Sequence, residues 1–126
     1  MIEKQHKALI EKLIEKTTSK KANWVKTSRE TEYKLGLKSG AITTDLWNDN
    51  GIDYADLIIR NERGDIISQL TFTKIENSIE FDLLKNLHNQ ARESYYKFDE
   101  TIEDIFDELN SDKEVGDKNE STDLPF

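Results

Sequence analysis

Apolar positions along this chain repeat at two spacings, and the switches between them mark its elements. Ile2, His6, Leu9, Ile10, Leu13 and Ile14 fall at helical spacing, with Glu3, Lys4, Lys7, Glu11, Lys12 and Lys16 elsewhere. This predicts an amphipathic helix over residues 2–17, ended by Thr17-Thr18-Ser19. Residues 19–29 read as a basic connector around Trp24. The period then becomes two. Tyr33, Leu35 and Leu37 alternate with Glu32, Lys34 and Lys38, and Ile42, Thr44 and Leu46 with Ala41, Thr43, Asp45 and Trp47. Ala55, Leu57 and Ile59 form one face of a third strand, and Ile66 to Thr73 a fourth. The intervening turns, Lys38-Ser39-Gly40, Asn48-Asp49-Asn50-Gly51 and Asn61 to Asp65, carry residues that tolerate positive φ. Loops this short join antiparallel neighbours.

A long helical pattern follows. Asn77 and Glu80 have the spacing of a capping box, and Ile79, Leu83, Leu84, Leu87, Ala91 and Tyr95 make its apolar stripe. Phe98-Asp99-Glu100 interrupts it, and Thr101 can cap a short last helix with Ile102, Ile105, Phe106 and Leu109 inward. From Asn110 the chain is polar and aperiodic, which reads as disorder. The expected fold is α+β: a four-stranded antiparallel meander with an N-terminal helix, a long C-terminal helix and a short last helix. It comprises a globular domain over residues 1–110 and a disordered acidic tail over 111–126. One sheet face would bury the helix stripes. The other would carry Trp47, Tyr54 and Arg60, or the opposite register. The adjacent pairs Ile58-Ile59 and Ile66-Ile67 blur the alternation, so part of the second face would be covered, by the N-terminal helix or by a second copy in a homodimer.

The chain's 126 residues make one modest core, and 35 % of them are charged. With no cysteine, disulfides and thiol chemistry are excluded. No apolar run is long enough to span a membrane and the amino-terminal segment is charged, so a cytoplasmic location is expected. The net charge of −8 is unevenly spread. Residues 98–126 hold eleven acids and two bases, and residues 1–38 hold ten bases and five acids. A basic front and an acidic end suit a nucleic-acid contact at one and a protein contact at the other.

Nothing in the pattern supports catalysis, a cofactor or a metal site. His6 and His88 lie in separate helical segments, and the five glycines are scattered singly at turns. The acids Asp99, Glu100, Glu103, Asp104, Asp107 and Glu108 sit on a helix without the loop glycine of a calcium site. Nucleic acid is the better chemical case. Single strands are held by a basic groove with aromatic platforms, each stacked base contributing about 1–3 kcal/mol. Lys20, Lys21, Lys26 and Arg29 surround Trp24, and Lys34 and Lys38 continue onto the first strand. Trp24 is either a platform or a core residue pinning the connector. Tyr33, Trp47 and Tyr54 could extend a platform.

The last four residues, Asp123-Leu124-Pro125-Phe126, follow a polar acidic segment that has nothing to bury an aromatic ring. This ending resembles the C-terminal tip of bacterial single-stranded DNA-binding proteins, departing from it in having Ser121-Thr122 where further aspartates are common. The resemblance covers the tip and the character of residues 111–122; the body does not read as that family's five-stranded barrel. It implies that Phe126 supplies a ring and terminal carboxylate to an apolar pocket with a basic rim. Pro125 would fix the turn, Leu124 add an apolar contact, and Asp123 and Glu120 face the rim.

The expectation is therefore a non-enzymatic protein of DNA replication, recombination or repair, of phage or mobile-element origin. Its body would bind single-stranded DNA and its tip would recruit proteins that read single-strand-binding-protein tips. The alternative is a protein-interaction or inhibitor module that binds a host protein without binding nucleic acid.

Overall fold

The computed structural model describes residues 3–116, so Asp123, Leu124, Pro125 and Phe126 lie outside the described residues, as does the tail from 117 onward. The chain divides into two compact units, Met1–Tyr96 and Lys97–Phe126. The sequence pattern placed a boundary at 110; here the last helix is grouped with the segment that follows it.

In the first unit, α1 (Lys4–Thr18) precedes five strands and α2 (Ser78–Tyr96). The strands are β1 (Val25–Lys26), β2 (Glu32–Leu37), β3 (Gly40–Asp49), β4 (Ile52–Asn61) and β5 (Ile66–Thr73). They form one antiparallel sheet in chain order. The α+β class, the meander and the flanking helices match the sequence expectation, but the sheet has five strands rather than four. The extra strand is two residues of the basic connector, with Val25 opposite Lys34 and Lys26 opposite Tyr33. Two residues cannot show a period, so only the pairing reveals this strand.

The turns behave as their residues dictate. Asn50 and Gly51 both have positive φ, the geometry of a tight two-residue hairpin, so β3 and β4 run on through residues that looked like loop. Gly40 is required for a different reason: a Cβ there would collide with the carbonyl oxygen of Arg60 on the paired strand. α1 ends in a Schellman motif. Lys20 has φ +63, its N–H donates to the Thr17 carbonyl, and the Lys21 N–H donates to the Lys16 carbonyl.

The core lies on one sheet face. Tyr33, Leu35, Ile42, Ala55, Leu57 and Phe72 pack with Ile10 and Leu13 of α1 and with Phe81, Leu84, Leu87 and Ala91 of α2. α1 therefore shares the face that α2 covers, and His6 Nε2 hydrogen-bonds with Ser68 Oγ on β5 at 2.8 Å. The register puts Trp47, Tyr54, Ile58 and Arg60 on the other face, which no helix of residues 3–96 covers. The expectation that the N-terminal helix helps cover that face fails: Ile58 is half-buried, and Ile66 and Ile67 are exposed. The capping box is not formed either. Asn77 Oδ1 accepts from the Thr73 N–H at 3.5 Å, and Glu80 Oε2 makes no hydrogen bond.

In the second unit, α3 (Phe98–Leu109) starts three residues before Thr101, after Lys97 in the left-handed region at φ +51. Ile102, Ile105, Phe106 and Leu109, expected inward, are exposed. Residues 111–116 carry no helix or strand, and no helix among the described residues is long and apolar enough to cross a membrane.

Candidate nucleic-acid interface

The residues proposed from sequence are not brought together at Trp24. That residue is only 2 % exposed. Its indole N–H donates to Thr17 Oγ1 at 2.9 Å, and Thr17 Oγ1 donates to the Leu13 carbonyl at 2.7 Å. Its backbone N–H donates to Ser94 Oγ, which donates to the Ala22 carbonyl. The indole pins the connector to α1 and the backbone N–H pins it to α2, so the stacking role suggested for Trp24 is corrected: no base can reach its buried face. Tyr33 is likewise buried, with its ring edge-on to His88 at 5.3 Å, and burial raises the pKa of its hydroxyl.

The bases separate into structural and free groups. The guanidinium of Arg29 lies 2.8 Å from Asp45 Oδ2, whose side chain is only 3 % exposed. The Thr31 hydroxyl donates to the other carboxylate oxygen at 2.6 Å. Arg29 thus answers a buried charge on this protein, an arrangement that resists removal of either partner. Lys26 extends over the Tyr33 ring, 6.0 Å from its centroid, at the sheet edge on the covered side. Lys20 and Lys21 are exposed in the turn after α1. Lys34 and Lys38 are exposed.

The uncovered sheet face gathers what the connector does not. Side chains on one face recur every second residue, so the register fixes its rows. Glu32, Asp45, Asp56 and Thr71 form one row; Val25, Lys34, Thr43, Ile58 and Gln69 form the next; Gly36, Ala41, Arg60 and Ile66 form the third. Beyond the first row stand Trp47 and Tyr54, stacked at 4.1 Å with a 7° interplanar angle. The Trp47 indole N–H donates to Asp56 Oδ2 at 2.9 Å. One end of the face is therefore aromatic and acidic, the other basic.

The basic end contains a groove of about 420 Å³. Lys34, Lys38 and Arg60 stand around it, and Gly36, Ala41 and Thr43 also line it. Gly36 leaves the groove open: a Cβ there would meet nothing within 4 Å. Thr43 is 4 % exposed and its Oγ1 has no hydrogen-bond partner. Glu32 and Glu62 also reach the rim, and Glu32 is occupied by the Thr27 hydroxyl at 2.8 Å. Among the described residues Lys34, Lys38 and Arg60 make no ion pair. Ammonium and guanidinium groups around a small-residue floor can hold an anion such as a phosphate diester.

Of the bases named from sequence, Lys34 and Lys38 line this groove; Arg60, Gly36 and Thr43 were not named as lining. The signal that finds them is the cross-strand register, which places Gly36 opposite Ala41 and Ala41 opposite Arg60. His88 is no ligand. It is buried, its Nε2–H donates to the Thr31 carbonyl at 2.9 Å, and burial holds its pKa below the ordinary histidine value. No protein-family model, no curated protein and no solved structure matches this chain.

Proposed function

We propose that this is a non-enzymatic protein of DNA metabolism whose body holds single-stranded DNA on the uncovered sheet face. The supporting observation is the groove itself: three bases, unpaired among the described residues, around an open small-residue floor. The tip Asp123-Leu124-Pro125-Phe126 then recruits replication, recombination or repair proteins that read single-strand-binding-protein tips. This half rests on the resemblance of those four residues.

Gly36→Leu tests the groove. Nothing within 4 Å opposes the new side chain, so the fold should persist while the floor fills. Affinity for labelled oligo-dT, read by fluorescence anisotropy, should fall at least about tenfold, the cost of losing one good contact. Deleting Phe126 should leave oligo-dT affinity unchanged and remove repair and replication proteins from a bacterial pull-down. Retention of those proteins would sink the recruitment half alone.

A second reading is favoured by the other end of the same face. Trp47 and Tyr54 stand on the same face as Glu32 and Asp56, whose carboxylates disfavour phosphate and suit a Lys- or Arg-bearing protein surface, while Asp45 between them is already answered by Arg29. On that reading the body is an interaction module and oligo-dT does not bind.

A further inference from the structure

The second unit has its own chemistry, independent of the groove. On α3, Ile102, Ile105, Phe106 and Leu109 stand at i, i+3, i+4 and i+7, and are 38, 44, 60 and 59 % exposed. Asp99, Glu100, Glu103, Asp104, Asp107 and Glu108 take six of the other eight positions of the helix, and residues 98–109 contain no base. At helical spacing the acids take the half-turn opposite the stripe and reach both its edges. This is the pattern of anchors that a helix lays into an apolar groove.

Two observations say what kind of groove. First, Asp107 and Glu108 sit in the last turn, where the helix dipole is already negative, and no base in that turn offsets them. A cation at that end would relieve both dipole and side chains. Second, six acids on one short helix repel a second copy of the same helix, so self-pairing is electrostatically opposed. A twelve-residue helix is also marginal in water without a packed stripe, so docking would hold it. We infer that α3 is a docking helix for a partner protein that presents an apolar groove rimmed by lysine or arginine.

The probe is a synthetic helical peptide with one leucine stripe flanked by lysines, titrated calorimetrically into the full chain. Saturable one-to-one binding is expected. A peptide with serine in place of each leucine should bind at least about tenfold more weakly, since apolar anchors carry most of such energies. Ile105→Ala with Phe106→Ala should weaken binding by a similar factor. Alanine favours helix, so that loss cannot come from melting α3. Asp107→Lys with Glu108→Lys should weaken binding too, and binding should fade as salt rises. Equal binding of the serine peptide, or indifference to the alanine pair, would reduce the attraction to bulk charge and overturn the assignment. Sedimentation of the free protein decides the remaining case. A dimer that the alanine pair turns into monomers would make a second copy the occupant, which also overturns it.

Discussion

α2 and α3 are both amphipathic helices, yet they end in opposite states. On α2, Phe81, Leu84, Leu87, His88 and Ala91 are all buried. On α3, with the cleaner division between apolar and acidic sides, all four stripe residues are exposed. A periodic stripe therefore specifies that a helix has a face to bury, not what buries it. α2 finds its partner in the alternating apolar positions of β2 to β5. The same alternation, read on the intervening strand positions, leaves the opposite sheet face free for Lys34 and Arg60.

The largest test of that contrast is stability. Phe81→Ala or Leu84→Ala should cost about 3–5 kcal/mol in chemical denaturation, because each empties a fully enclosed site. Ile105→Ala should shift the same transition by no more than about 0.5 kcal/mol, as for an exposed position. Equal losses would mean that the α3 stripe is part of the fold after all.

Arg29→Ala should come next, at about 1.5–3 kcal/mol, because it strips the charged partner from a buried carboxylate. Lys34→Ala, which makes no ion pair among the described residues, should be near neutral in the same assay. This separates bases that hold the fold from bases that do not.

The smallest effect concerns pH. Burial lowers the pKa of His88 in the folded state, so below the ordinary histidine value of 6.5 the unfolded chain binds the proton more readily. Stability from this group is complete above that value and is lost as pH falls through the folded pKa. The thermal midpoint should drop more steeply on acidification for the wild type than for His88→Gln, which keeps a donor for the Thr31 carbonyl. Parallel pH curves would show that His88 is not a source of acid sensitivity.

Much of the architecture was legible because period-two and period-3.6 patterns are set by burial on one face. The two helices, the four longer strands and their antiparallel order follow from Leu9 to Ile14, Tyr33 to Ile59 and Leu83 to Ala91. β1 was not legible, since Val25 and Lys26 become a strand only by pairing with β2. Trp24 was ambiguous for a physical reason. An aromatic ring among lysines looks the same in sequence whether it faces solvent or, as here, the Thr17 hydroxyl. The groove was half visible. Lys34 and Lys38 are local neighbours, but Arg60 joins them only through the β3–β4 register. The start of α3 was misplaced because Lys97, not the polar run after it, takes the left-handed turn that separates the helices.

The salt dependence of oligo-dT binding tests the central claim most directly. Three phosphate contacts on single-stranded DNA give a slope near about −2 in log K against log salt. The wild type is expected to show that slope, and Lys34→Glu with Arg60→Glu to bind far more weakly with a slope approaching zero. Wild-type affinity and slope in the charge-reversed protein would contradict the groove's assignment as the DNA contact.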